Sequence, residues 1–334
     1  MQKLIFFLSI HKDKKHIALI MSYENIEEYF TQFPDDVETI DVCFKTDHLP
    51  DLSRFYKLKR LFCSSIKLSN LPSLPSTLKE LRCGNNILTC LPLLPSSLEI
   101  LWCAINKLTC LPDLPSSLID LYCDNNELMY LPLLPLSLNN LECNYNELVC
   151  LPPLPSTLKR LSCHYNKLMY LPLLPSNLEY LYCNKNQLTH LPLLPSTLEY
   201  LCCGFNQLTY LSLLPSTMKV FGCQNNQLTC LPNLPSSLTE LHCCNNPFLD
   251  CYIKPENYIF MVDYIVELRK QIQIVNQFRE LFYALKCKKQ LKKWLWHIRE
   301  PKIRNKYKPE NLIVMLEGRE DITLDELDEL LDKW

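Results

Sequence analysis

The chain has 334 residues and a formal net charge of -2, with only 4 Gly against 24 Pro and 19 Cys. Gly84, Gly204, Gly222 and Gly318 lie in four separate places, which excludes the clustered glycines of Walker-type and dinucleotide-binding loops. A near-neutral chain is not a polycation seeking nucleic acid or anionic membrane, and one this long needs no disulfide scaffold to fold.

The N-terminus sets apolar Leu4 to Ile10 between Lys3 and the charges of Lys12, Lys14 and Lys15, with no small-residue cleavage site. Nothing approaches the ~18 apolar residues of a spanning helix. The expectation is a soluble, cytoplasmic protein with no membrane span. A start at Met21 would make the first stretch dispensable. Glu24 to Phe33 reads as a short amphipathic helix. Val37, Ile40 and Val42 then fit a strand, and Leu49-Pro50-x-Leu52 fits a return. Residues 1–57 are therefore an N-terminal segment and cap, of which 22–57 cover the open end of the array that follows.

From 58 to 248 the sequence repeats every 20 residues, about ten times. Leu recurs from 61 to 241, with Phe221 in one place, and Cys recurs from 63 to 243 without a gap. Asn recurs from 86 to 246, with Ile66 as the exception before it. Each unit reads L-x-x-L-x-C-x-x-N-x-L-x-x-L-P-x-L-P-S-S/T, and Ser212 replaces one expected Pro. Alternation at Leu81-x-Cys83 puts both side chains on one face of a short strand and Arg82 on the other. Stacked at ~4.8 Å, such strands make a parallel sheet on the order of 45 Å long. Paired prolines forbid a helix on the way back, so the return is extended or polyproline-like. At each corner the Asn is expected to take unusual backbone angles and to bond neighbouring backbone groups.

This repeat resembles the leucine-rich repeat, with Cys at the third aliphatic position. Its Pro-rich, 20-residue form is similar to the LPX-type repeats of certain bacterial effectors. The resemblance implies a leucine-rich-repeat solenoid, or horseshoe, with its parallel sheet on the concave face.

Ten of the 19 Cys occupy the ladder position and read as small buried hydrophobes. No C-x-x-C occurs, and His164, His190 and His242 do not pair with Cys at finger-type spacing. No metal and no cofactor is expected. Cys90, Cys110, Cys150 and Cys230 share the position just before Leu-Pro.

Alternate strand positions face solvent on the concave side. There the columns carry Trp102, Tyr122, Tyr145, Tyr165, Tyr180, Tyr182, Tyr200 and Phe205. Asp120, Asp124, Asn140, Glu142, Asn144, Arg160, His164, Asn184 and Lys185 surround them. Aromatic rings give large contact area at low entropy cost, so the stripe is the candidate binding surface for a protein partner. The competing reading is that rings stack down a column only to steady neighbouring strands.

Residues 249–334 form a separate helical region. Met261, Ile265, Leu268, Ile272, Val275, Phe278, Phe282 and Leu285 follow gaps of three and four, which predicts a helix capping the last repeat. Residues 286–308 hold ten Lys or Arg against Glu300, interleaved with Trp294, Trp296 and Tyr307. Nucleic-acid binding there competes with pairing to 309–334, where nine acids include a helix opened by Thr323-x-x-Glu326. The stretch from Leu291 to Ile303, with Tyr307 to Leu312, resembles a tail found in proteins of mimivirus-type giant viruses. That resemblance implies a viral repeat protein acting in a host cytoplasm.

The expected function is non-enzymatic protein binding. The alternative is a ubiquitin-ligase effector, since LPX repeats elsewhere accompany a catalytic-cysteine domain. The Cys-x-Asp signature of that domain is missing: Cys251 precedes Tyr-Ile and Cys287 precedes Lys-Lys.

Overall fold

The computed structural model describes residues 25–247, 265–277, 281 and 286–287. Helix α1 (Ile26–Thr31) comes first. Asn25 caps it by accepting a hydrogen bond from the Glu28 N–H at 2.8 Å, and Ile26 and Phe30 are buried. Three-residue strands follow: β1 (Thr39–Asp41), β2 (Arg60–Phe62), then one every 20 residues from β3 (Glu80–Arg82) to β11 (Glu240–His242). They form one 11-stranded parallel sheet in strict chain order. Each residue pairs with the one 20 positions on, as in Leu81↔Leu101 and Leu141↔Leu161. A residue slip would turn every Leu outward, so the hydrophobic period and the register enforce one another.

Within one coil Leu81, Cys83, Leu88 and Leu98 are all fully buried, and the same positions repeat along the array. Stacked columns of Leu and Cys therefore make the core. The return has no helix, as the prolines require. A recurrent turn closes it, with the Leu98 N–H donating to Pro95 O at 3.1 Å and Leu158 to Pro155 in the same way. Ser212, which stands where other repeats have Pro, leaves its Oγ buried with no partner, and Leu211 beside it is only half-buried.

Two polar seams run along the coil. The first is the Asn column. Asn146 is 7% exposed; its Oδ1 accepts from the Leu128 N–H at 3.0 Å, and its Nδ2 is within 3.0–3.2 Å of Cys123 O, Cys143 O and Asn144 O. Each Asn thus ties its own coil to the preceding one and satisfies backbone that water cannot reach. The second seam is the Ser/Thr closing each unit. Ser97 Oγ donates toward Ser76 O and Leu78 O at 2.7 Å, and Thr157, Thr197 and Ser237 do the same one coil after another.

The unusual backbone angles expected of the Asn column belong to its neighbour. The left-handed residue is the one before each Asn, namely Asn85, Ile105, Asn125, Tyr145, Tyr165, Lys185, Phe205, Asn225 and Asn245, together with Ser65 before Ile66, with φ between 50° and 65°. The Asn itself must aim its amide inward, so the chain reverses one residue earlier. Ile105, at φ 57°, carries the largest strain because a β-branched side chain crowds the backbone there. It is 51% exposed, so little packing is lost on replacing it. Ile105→Asn is expected to stabilise the protein by about 1 kcal/mol. A raised urea midpoint at unchanged slope would show it, and a lowered midpoint would refute it.

The chain divides into two compact units, Met1–Ile265 and Val266–Trp334. Of the C-terminal region the structure describes a helix over 265–277, with Ile265, Leu268 and Ile272 buried as their spacing requires. The basic segment beyond Cys287 and the acidic terminal helix lie outside the described residues, as do residues 1–24 and Cys251.

Candidate recognition face of the sheet

The solvent face of the sheet gathers the eight sequence-predicted residues into three groups rather than one stripe. Trp102 and Tyr122 stack at 4.9 Å between ring centroids. Tyr180 and Tyr200 stack at 4.7 Å, with Tyr182 beside them on the same strand as Tyr180. Tyr145 and Tyr165 stack at 4.2 Å, and Phe205 sits two corners further along the left-handed column. Trp102, Tyr145 and Phe205 are 41%, 44% and 44% exposed, and the other five rings are half-buried. Six of the eight rings therefore stack in pairs from coil to coil and still show an edge to solvent.

Cations are built into each group. The Arg82 guanidinium lies 5.2 Å from the Phe62 ring centroid and 5.7 Å from that of Trp102. Arg160 lies over Tyr180 at 5.5 Å and Tyr182 at 5.2 Å while its Nε meets Glu142 at 3.1 Å. The Lys185 ammonium sits between the Tyr165 and Phe205 rings and donates to the Tyr165 hydroxyl. That contact pulls the Tyr165 pKa down. Held between rings, these charges keep fixed positions at low entropy cost. Gly84 makes this packing possible, since a Cβ there would come within 3.0 Å of the Trp102 ring.

A polar ladder runs beside the rings. Asp124 Oδ1 accepts from the Asn144 N–H at 2.9 Å and from its Nδ2 at 2.6 Å; Asn144 Oδ1 then accepts from Ser162 Oγ at 2.7 Å and the His164 N–H at 3.0 Å. Burial pushes the Asp124 pKa up to about 6, against the pull of the Asn144 bonds, and lowers that of His164. Because the folded value lies above the unfolded one, stability falls as pH rises from about 4 through about 6. Asp124→Asn keeps the acceptor and removes the charge. It is expected to add about 1–2 kcal/mol at pH 7, after allowance for solvent screening, and almost nothing at pH 3.5. An equal effect at both pH values would refute this origin.

The ten ladder thiols, Cys63 to Cys243, are buried, and the described cysteines are all free thiols. Loss of hydration raises the pKa of the nine from Cys63 to Cys223, to about 12 at Cys83 and Cys163, so they are poor nucleophiles and poor ligands. Among the described residues no group of three or more His, Cys, Asp or Glu could hold a metal ion. No helix among them is long and apolar enough to cross a membrane.

Neither a family model nor a curated protein matches the chain. Solved structures do. YopM from Yersinia enterocolitica WA-314 is 35% identical over 60% of this chain and 49% of its own, with a TM-score of 0.58. A Shigella effector LRR domain is also 35% identical, over 50% of this chain and 71% of its own, with a TM-score of 0.42. This chain is a leucine-rich-repeat protein. The leucine-rich-repeat array is similar as well to the functional domain of InlJ from Listeria monocytogenes, which includes a cysteine ladder (27% identity, TM-score 0.54, 64% of this chain and 49% of that one). The chain thus spans about half the length of YopM and of that InlJ domain.

Two features of the leucine-rich-repeat surface escaped sequence reasoning. Phe62 joins the aromatic and cationic row through Arg82; its position, 20 residues before Arg82, was the available signal. The most exposed apolar side chains are not on the sheet at all. Leu93, Leu133, Leu136, Leu173, Leu193 and Leu213 are 80–87% exposed on the return. Five of them fill the x of L-P-x-L-P or its L-S-x-L-P variant, a column in which Ser, Asp, Pro and Asn also occur.

Proposed function

We propose that this leucine-rich-repeat protein is a non-enzymatic, cytoplasmic binding protein that holds a protein partner on the solvent face of its sheet. The observation that carries the proposal is the set of aromatic–cation groups around Trp102, Arg160 and Lys185, whose geometry is fixed before any partner arrives. Preorganised rings and guanidinium groups are the side chains that dominate protein interfaces. The similarity of the repeat array to YopM supports a role in interaction. The resemblance of Leu291 to Ile303, with Tyr307 to Leu312, to a giant-virus tail supports action in a host cytoplasm, on a host protein.

Affinity capture from such cells, with the double variant Tyr182→Ala/Tyr200→Ala beside the unaltered chain, tests the proposal. Both tyrosines are half-buried and alternate with the core residues Leu181 and Leu201 on their strands, so the variant is expected to unfold as cooperatively as the parent. Loss of at least one specific partner by the variant is the expected result. Equal recovery of every partner contradicts it.

A further inference from the structure

The return side of the array carries a second surface, unrelated to the sheet face. From 69–77 to 229–237 the nine return segments contain no Lys or Arg and a single acid, Asp113. Charges are kept to the flanks of each coil, where they pair with one another, as in Lys79–Glu99 and Lys219–Glu199, both at 2.7 Å. Between the flanks stand the six leucines, 80–87% exposed, with Tyr130, Tyr170 and Tyr210 at 52–59% three residues before Leu133, Leu173 and Leu213. Single exposed leucines need no explanation, but a ridge of them interrupted only by Asp113 and Pro153 does.

We infer that this ridge is the contact between two copies of the chain, packed return to return about a two-fold axis. Three arguments select a second copy. First, the area suffices: with roughly 100 Å² of apolar surface at each of these side chains, the ridge offers on the order of 900 Å² per copy, against roughly 800 Å² per partner in a standard interface. Second, the ridge repeats with the coil, carrying Leu173, Leu193 and Leu213 on successive turns, and a surface of the same period fits leucines between them. A second copy has that period by construction, and a two-fold axis makes the patch its own complement. Third, the chemistry excludes charged partners. A docking anion would lose its water and find no cation on the ridge, and a docking cation would find only Asp113; an anionic membrane needs the Lys and Arg that are missing. Prolines in every return segment fix the backbone, so little entropy is lost when two ridges meet.

Sedimentation velocity on the full chain, from nanomolar to tens of micromolar protein, tests the inference. A reversible dimer is expected, with about 100-fold weaker association in Leu173→Lys/Leu193→Lys. Because those side chains are 86% and 84% exposed, the circular dichroism and the melting temperature are expected to stay unchanged. Leu133→Lys/Leu136→Lys repeats the test elsewhere on the ridge and gives the answer should the first variant misfold. Tyr182→Ala/Tyr200→Ala is expected to dimerise normally, which keeps this result separate from the fate of the sheet face. A chain that stays monomeric throughout, or a dimer indifferent to both lysine variants, overturns the inference. A monomer that instead floats with phosphatidylcholine vesicles also overturns it and assigns the ridge to lipid.

Discussion

Asn146→Ala is expected to lower the stability of the protein by about 1–3 kcal/mol. The Asn146 amide, 7% exposed, is the common partner of one N–H and three carbonyl groups on two coils. Alanine leaves the buried Leu128 N–H without its acceptor, while the Cys123 and Cys143 carbonyls keep the amides of Asn126 and Asn166. A buried unpaired group costs about 1–3 kcal/mol. Each coil contacts only its neighbours, so the loss is felt along the array. Asn184→Ala, on the solvent face of the sheet, is the matched control and is expected to cost less than about 0.5 kcal/mol. Urea titration of both variants decides the matter, and equal small shifts would show that the Asn column is not a seam.

Thiol reactivity gives the second large effect. Cys90 and Cys110 are exposed, while Cys83 and Cys163 are buried with pKa values pushed up to about 12. Only the thiolate reacts with an alkylating agent. At pH 8 a thiol of pKa about 12 is ionised to about one part in ten thousand, so the ladder is expected to react at least about 1,000-fold more slowly than Cys90 and Cys110. Burial slows it further, because reagent must wait for a coil to open. Iodoacetamide labelling followed by peptide mass spectrometry reads each site. The expected pattern is rapid modification of Cys90 and Cys110, with Cys63 to Cys243 labelled together only in denaturant. Ladder thiols labelled at comparable rates in the native chain, or recovered as disulfides, would contradict a packed column.

Most of the coil could be read before folding because each position has one dominant physical demand. Leu81 and Cys83 alternate because a strand has two faces, and the prolines mark the return because they cannot sit in a helix. The left-handed corner was not legible for the opposite reason. Asn85, Ile105, Tyr145 and Lys185 share a backbone angle but no side-chain property, and the uniform Asn beside them drew the assignment. The Ser/Thr seam was hidden because Ser and Thr are ordinary turn residues. Only the coil-to-coil bonds of Ser97 and Thr157 reveal a second role.

The sheet face was legible as a set of residues but not as a set of groups. Tyr180 and Tyr200 share a column and stack, whereas Tyr182 lies two residues away and meets Arg160 instead. Spacing along the sequence gives the column, and only the side-chain directions give the partner. The exposed leucines were concealed by composition: in a chain so rich in Leu, the x of L-P-x-L-P reads as core until its exposure is known.

The central claim is that a protein partner is held on the sheet face and not on the return ridge. Calorimetric titration of a captured partner against three chains tests this most directly: unaltered, Tyr182→Ala/Tyr200→Ala, and Leu173→Lys/Leu193→Lys. The account predicts that the tyrosine variant alone loses affinity, by about tenfold or more. Equal affinity in all three, or a loss confined to the leucine variant, would contradict it.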